Sequence, residues 1–252
     1  MPRAVDEIFD DALLASLYDH LNPWSPSDDF YLQRARESGG PVLDLGCGTG
    51  MLAVRIASEG LEVAGVDPAA GMLKVARSRP GAERVTWFES DGQSLDLARR
   101  FRLIYMNGHA FQALLSDEDA VAVLSAAGRH LSPDGRFIFE NRNPDIRKWQ
   151  EWRLDNAWTV DISPHGRVEE SNEAAFDQAS GIVRITHRYR FLDRGTERVS
   201  HSQIRFRDHD HIARLIGEAG LRPIAWYGDW DRRPLSLASK EIVAVTGRGD
   251  PR

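Results

Sequence analysis

Cysteine is nearly absent from this 252-residue chain: Cys47 is the only one, so no intramolecular disulfide can form and no Cys-rich zinc site can be assembled. A reducing compartment suits such a chain, and a cytoplasmic location is the expectation. Long apolar runs are missing as well, none approaching the roughly 20 residues that a membrane span needs. The opening Met-Pro-Arg-Ala-Val-Asp-Glu carries acidic residues where a signal peptide would carry the opposite charge before an apolar core. There is no excess of positive charge either. Against 38 Asp+Glu stand 32 Lys+Arg, a formal net charge of -6, the wrong sign for a surface that tracks a phosphate backbone. Repeats and low-complexity tracts are also lacking. What remains, 42% apolar and 28% charged residues with 21 Gly and 12 Pro, is the composition of a globular chain, long enough for one α/β domain with an elaboration.

Hydrophobic spacing organises the chain into four stretches. Ile8, Phe9, Ala12, Leu13, Leu17 and Tyr18 recur at helical intervals and predict one short amphipathic helix over residues 6–18. After Asn22-Pro23-Trp24-Ser25-Pro26, a second helix is expected to start near Ser27 or Asp28 and to stop at Gly39-Gly40. Between residues 41 and 140, short apolar runs (42–45, 62–66, 85–89, 102–106 and 136–140) alternate with helical patterns (52–58, 70–77 and 117–131). That alternation is the signature of βα units in a parallel sheet. Pro133-Asp134-Gly135 is expected to be a type I turn leading into the fifth strand. Residues 158–206 switch to longer two-residue alternation, with hairpin chemistry at Gln178-Ala179-Ser180-Gly181 and Asp193-Arg194-Gly195, and read as an antiparallel insert. Ile212, Leu215, Ile216 and Ala219 then mark one helix face, followed by two closing strands at 221–226 and 241–246.

The densest chemistry lies in Val42-Leu43-Asp44-Leu45-Gly46-Cys47-Gly48-Thr49-Gly50, a buried strand running into a glycine-rich turn and a helix. Such a turn lets a ligand approach the backbone and aims helix N–H groups at it. The spacing departs from the dinucleotide fingerprint, whose third glycine would fall where Met51 stands, and no Gly-Lys-Ser/Thr ends the turn as in a phosphate-binding loop.

This stretch resembles the first motif of the class I S-adenosylmethionine-dependent methyltransferases, and the likeness continues in register. Asp67 ends the second apolar run, 21 residues after Gly46, where a carboxylate can accept from both ribose hydroxyls; it is also placed to cap the following helix. Gly71-Met72-Leu73 resembles the family's adenosine-packing turn, and Glu89-Ser90-Asp91-Gly92 its adenine contact, with Asp91 accepting from the exocyclic amine. The resemblance covers residues 41–140 well and 212–246 loosely. It implies a doubly wound, mostly parallel seven-stranded α/β sheet, the Rossmann-like methyltransferase fold, with an inserted antiparallel β lid. It also implies S-adenosylmethionine as methyl donor, with Tyr18, Asp44, Gly46, Cys47, Gly48, Asp67, Pro68, Met72, Asp91, Gly92 and Asn107 as the cofactor-binding set.

Acceptor-facing residues in the family lie just past the fourth strand, here Met106-Asn107-Gly108-His109-Ala110-Phe111-Gln112. The Asp/Asn-Pro-Pro-aromatic signature of nucleobase amino-methylases is missing there, which argues against nucleic acid as substrate. His109 is the candidate general base, since imidazole titrates near neutral pH; packing over the cofactor is the other role open to it. Phe111 is a candidate acceptor contact. On the insert, Trp149 either lines an acceptor pocket or anchors the lid. Arg188, on the arginine-bearing face of residues 182–191, either grips an acidic substrate or faces solvent. Nine Arg and nine Asp+Glu between Gln150 and Arg207 make the insert balanced rather than basic. His209-Asp210-His211 does not make a metal site, because adjacent helical positions diverge by about 100°, so no metal is expected.

The expected division is an N-terminal lid and cofactor core over 1–148, an antiparallel substrate lid over 149–207, and a last helix with two closing strands over 208–252. The expected activity is methyl transfer to the nitrogen or oxygen of a small molecule. A nicotinamide-dependent oxidoreductase and a non-catalytic cofactor-binding protein are the alternatives. An exposed edge strand on the insert leaves homodimer formation open.

Overall fold

The computed structural model describes residues 5–249; residues 1–4 and 250–252 of the expected first and last units lie outside them. Two short helices open the chain, α1 (Glu7–Asp10) and α2 (Ala12–Leu21), where one was expected. The break falls at Asp11, whose extended backbone and side chain cap α2 by accepting from the N–H groups of Leu13 and Leu14, a local alternative to helix that Asp favours. Helix α3 (Pro26–Ser38) starts one residue earlier than expected. Ser25 and Asp28 form a reciprocal capping box around Pro26, and Gly39 ends the helix in the left-handed region at φ 69°.

The predicted βα alternation follows as β1 (Val42–Leu45), α4 (Met51–Ala57), β2 (Val63–Asp67), α5 (Ala70–Ser78), β3 (Val85–Glu89), β4 (Phe101–Met106), α6 (Asp117–His130) and β5 (Leu131–Arg142). Pro133-Asp134-Gly135 does not precede β5 but bulges out of it: Phe101 pairs with Leu131 and Leu103 already with Arg136. After the insert come α7 (His209–Glu218), β10 (Leu221–Tyr227) and β11 (Glu241–Arg248). These strands form one seven-stranded sheet in the order β10-β11-β5-β4-β1-β2-β3. Only β11 runs against the others, antiparallel to both β5 and β10. The order reverses between β1 and β4, the place where open α/β sheets bind ligands beyond their carboxyl ends.

Both faces of the sheet are covered, which is why its central strands are apolar throughout. Leu43, Leu45, Ile104, Phe137 and Phe139 pack beneath α6 and α7, while Val42, Val63, Leu103, Ile138 and Val243 pack against α3 and α4. The insert is a separate four-stranded antiparallel sheet, β6 (Trp158–Ile162), β7 (Gly166–Asp177), β8 (Ile182–Phe191) and β9 (Thr196–Arg205), paired in chain order. One face of it meets the body: Val168, Tyr189 and Phe191 pack on Ile8, Leu14 and Leu17. Among the described residues no helix is long and apolar enough to cross a membrane.

Candidate active site

Beyond the carboxyl ends of β1, β2 and β4 lies a cavity of about 250 Å³. Gly46 and Gly48, at φ 83° and 51°, carry the backbone through the left-handed region on one side of it. A Cβ on Gly48 would meet no protein atom, whereas Gly50, at φ 72°, has no room for one because the Trp87 ring lies against it. Gly48 thus leaves the loop backbone open to a ligand, Gly46 lets it pass close to Ala110, and Gly50 lets it pack on β3. Asp67 secures that geometry: its Oδ2 accepts from the Gly48 N–H at 2.8 Å and its Oδ1 from the Ala69 N–H at 2.8 Å. The expected helix cap is not made, since α5 starts at Ala70 behind Ala69 with no side-chain cap; Asp67 instead ties the glycine turn while it lines the cavity, which is possible because a carboxylate offers about four acceptor sites.

Nine of the residues expected to hold the cofactor line this cavity: Tyr18, Gly46, Gly48, Asp67, Pro68, Met72, Asp91, Gly92 and Asn107. Asp91 spends Oδ1 on the Ser94 N–H and hydroxyl, at 2.7 and 2.6 Å, so that only Oδ2 is left for a ligand. Tyr18 reaches the cavity from α2, and burial, with Asp67 close by, pushes its hydroxyl up to about 12. Helix α2 is held there by Asp19, which accepts from the Thr49 hydroxyl at 2.5 Å and pairs with Arg79.

Two expected cofactor contacts lie outside the cavity. Strand alternation turns Asp44 away from Leu45, into the sheet interior beside Tyr105, where burial pushes its carboxyl up to about 8. Cys47 turns under β2 towards Gly65, and burial raises its thiol well above the ordinary value.

The acceptor-side expectations need more correction. His109 is not part of the cavity wall. Its backbone sits at φ 62°, its N–H donates to Glu140 at 2.6 Å, and its ring turns to Glu241, Nε2 to Oε2 3.0 Å. Burial and the charge of Arg142 lower its pKa against the opposing pull of Glu241. Phe111 is fully buried against Phe139, with ring centroids 4.3 Å apart, beneath rather than in the site. Trp149 packs within the insert, stacked on Phe176 at 4.3 Å and edge-on to Phe206, and does not line the cavity. Arg188 lies on the outer face of the lid beside Glu197, turned from the body. His209 bonds Asp210 and His211 bonds Asp117, so the two imidazoles do not converge.

The sequence reading missed Asp28 and Glu140. Asp28 is 6% exposed; its Oδ2 closes the capping box of α3, and its Oδ1 accepts from the Asn107 side-chain amide at 2.8 Å. The Asn107 carbonyl oxygen is left buried and without a partner among the described residues. Glu140, fully buried, receives the Tyr31 hydroxyl and the His109 N–H, and burial pushes its carboxyl up to about 8. Tyr31 also donates to the Met106 carbonyl, so this pair fixes the turn that presents Asn107. A buried acid at a strand end was the only available signal for Glu140, and it reads as well as surface chemistry.

Residues 42–135 match a family model described as a methyltransferase domain. The chain is 33% identical over 215 residues to a cypemycin N-terminal methyltransferase from Streptomyces sp, covering 83% of this chain and 84% of that one. The protein belongs to the S-adenosylmethionine-dependent methyltransferases. It is also 27% identical over 222 residues to a glycine/sarcosine N-methyltransferase from Aphanothece halophytica, covering 84% and 80% of the two chains. In fold it is similar to an S-adenosylmethionine-dependent methyltransferase from Clostridium acetobutylicum, with a TM-score of 0.77 at 19% identity over 94% and 98% of the chains. This methyltransferase is therefore an enzyme whose cofactor is S-adenosylmethionine, and the nicotinamide and binding-only alternatives fall away. The cavity suits that cofactor: open glycine backbone, a carboxylate at the end of β2, and apolar Pro68, Ala69 and Met72 beside it.

Proposed function

We propose that this methyltransferase modifies the nitrogen of a small-molecule amine, with the four-stranded sheet of residues 149–207 as the lid over its acceptor. The observation that carries this reading is the Asn107 side chain. Its amide is tied to Asp28, and its carbonyl oxygen, buried and without a partner among the described residues, can act as a hydrogen-bond acceptor only, on a residue that lines the cavity. An amine N–H given to that oxygen has its lone pair aimed elsewhere, and orientation of this kind supplies much of the acceleration of an in-line displacement.

The bound sulfonium supplies an electrophilic methyl group. The protein's part is to hold the acceptor nitrogen at Asn107, exclude water beneath the lid, and leave the nitrogen uncharged. In the displacement the nitrogen lone pair forms the new N–C bond as the C–S bond breaks, and the surplus N–H proton passes to water. A hydroxyl acceptor would need a base at the reacting oxygen, and His109 is turned to Glu241 instead. Nitrogen acceptors also agree with the relative from Aphanothece halophytica, an N-methyltransferase by name.

Incubation with methyl-labelled S-adenosylmethionine and matched primary amines, alcohols and phenols tests the reading. Labelled N-methyl products with no O-methyl products are expected. Transfer to hydroxyls alone would overturn it.

A further inference from the structure

The side of the lid sheet that meets the body is apolar at both ends and polar in between. At one end Val168, Tyr189 and Phe191 pack on Ile8, Leu14 and Leu17, the last two on the helix that also carries Tyr18 to the cavity wall. At the other, Val183 and Ile185 pack with Trp149 and Phe206. Two-residue alternation puts Glu170, Asn172 and His187 on this same face, and the register sets Asn172, His187 and Ser200 opposite one another across β7, β8 and β9. Each member of that row ends in a polar atom that is buried and has no hydrogen-bond partner among the described residues: Asn172 Oδ1, His187 Nδ1 and Ser200 Oγ. A buried polar group left unpaired costs free energy, and here three share one cross-strand row, one from each strand.

The row and its neighbour Glu170 are rich in acceptors. Glu170 is 7% exposed, and the Asn172 amide is turned to its carboxylate, which leaves the Asn172 carbonyl oxygen as the free group. His187 Nε2 is bonded to the Ser202 hydroxyl at 2.8 Å, and burial lowers the ring to about 4, so that it is neutral at pH 7. Among the described residues no Lys or Arg pairs with Glu170; its one ion-pair contact is that neutral ring, at 3.9 Å. A carboxylate in such a place is costly unless a cation completes it. Asn172 and His187 are only half-buried, so the row is not sealed into the core.

We propose that this row, together with Glu170, binds a second, cationic amine of the acceptor. The substrate is then a diamine. One nitrogen, uncharged, is methylated at Asn107, while the other, as an ammonium, gives its N–H groups to Glu170, Asn172 Oδ1 and His187 Nδ1. The inference rests on the nitrogen reading and on the lid covering the acceptor, and it narrows both. The three donors of an ammonium match three acceptor groups on one face; a hydroxyl brings one donor and leaves Glu170 without a countercharge. The row does not line the cofactor cavity, so the spacing between the two nitrogens is what the experiment reads.

Trimethylenediamine, putrescine, cadaverine and hexamethylenediamine, each against the monoamine and the amino alcohol of equal length, test it with methyl-labelled S-adenosylmethionine at pH 8, above the Glu170 pKa of about 7. At least one diamine is expected to be used with kcat/KM ten-fold or more above both of its partners. Glu170→Gln, which keeps the shape and removes the charge, is expected to abolish that preference through a raised KM for the diamine, with S-adenosylhomocysteine affinity unchanged by calorimetry. Binding is read independently of turnover from the NMR signals of the His187 ring in the S-adenosylhomocysteine complex. A diamine of the series is expected to move them in the wild type and not in Glu170→Gln. Equal use of diamines and monoamines throughout, a preference for the amino alcohols, or a preference that survives in Glu170→Gln would each overturn the inference while leaving nitrogen methylation standing. So would ring signals that no diamine moves, which would mean that solvent alone meets the row. Turnover of hydroxyl acceptors but of no amine would remove both.

Discussion

The side-chain amide of Asn107 donates to Asp28 Oδ1 across 2.8 Å, joining the turn after β4 to the first turn of α3. One carboxylate therefore does two things, since its other oxygen accepts from the Ser25 N–H at 2.8 Å and caps the helix. Asp28→Ala removes both. Loss of the cap is expected to cost about 1 kcal/mol of stability, measurable by urea unfolding. The freed Asn107 amide can then rotate, so acceptor kcat/KM is expected to fall at least ten-fold while S-adenosylhomocysteine affinity changes less than three-fold. A variant that loses stability but keeps its kcat/KM would show that Asn107 is aimed by something else.

Asp67 combines a similar pair of roles at the cofactor. Asp67→Ala deletes the acceptor for the Gly48 N–H as well as the carboxylate on the cavity wall. Calorimetric titration is expected to show S-adenosylhomocysteine binding weakened ten-fold or more, about 1.4 kcal/mol. Glu89→Gln, at the exposed end of the neighbouring strand, is the control and should bind as the wild type does. Wild-type affinity in Asp67→Ala would remove this carboxylate from the cofactor site.

How much of this was legible beforehand follows from which interactions are local. The glycine loop, Asp67 and Asp91 sit where a strand must turn into a helix beside a ligand, so their roles follow from spacing along one βα unit after another. The strand spans 42–45 and 85–89 were readable for the same reason. Asp28 and Glu140 make their contacts across the fold, 79 positions separating Asp28 from Asn107 and 109 separating Tyr31 from Glu140. No periodicity encodes those meetings. His109 and Phe111 show the converse: both follow β4 as expected, but with the left-handed backbone at His109 its ring turns to Glu241 and the Phe111 ring, two positions on, packs into the core. The split between α1 and α2 was hidden because the apolar stripe continues through Asp11, whose capping overrides it.

Glu170 gives the lid a dependence on pH. It is 7% exposed on the face of the lid sheet that packs against the body, with the His187 ring at 3.9 Å and Tyr189 opposite it on β8. Burial pushes its carboxyl from 4.5 up to about 7 and lowers His187 to about 4, so the imidazole stays neutral and offers no countercharge. Between 4.5 and 7 the folded protein keeps a proton on Glu170 that the unfolded chain has released. This contribution is fully present below 4.5, is lost as pH rises through 7, and stays lost above it. Glu170→Gln is therefore expected to be more stable than wild type at pH 8, by about 3 kcal/mol, with most of that difference gone at pH 5. Urea midpoints at the two pH values check this; a difference independent of pH would mean that Glu170 is not titrating in the fold.

Asp117 ties the exit of the lid to the body. As first residue of α6 it accepts from Arg207 at 3.4 Å, His211 at 2.9 Å and Arg214 at 2.8 Å and pairs with Arg205 at 3.0 Å, three guanidinium groups and an imidazole that flank the step from β9 into α7. Burial alone would raise its pKa, but the hydrogen bonds from Arg214 and His211 and the charge of Arg205 outweigh it and hold the carboxyl well below the usual range. The Arg207 side chain has no exposed surface; it lies over the Phe111 ring and also donates to the Leu114 and Ser116 carbonyls. Asp117→Ala leaves that guanidinium buried among like charges, which is expected to cost about 3 kcal/mol and to lower the urea midpoint accordingly. Asp117→Asn keeps an acceptor oxygen and should lose less. With the base of the lid loosened, proteolysis within residues 149–207 is expected to quicken more in Asp117→Ala than cleavage elsewhere. A cost below about 1 kcal/mol would place the cluster among ordinary exposed ion pairs.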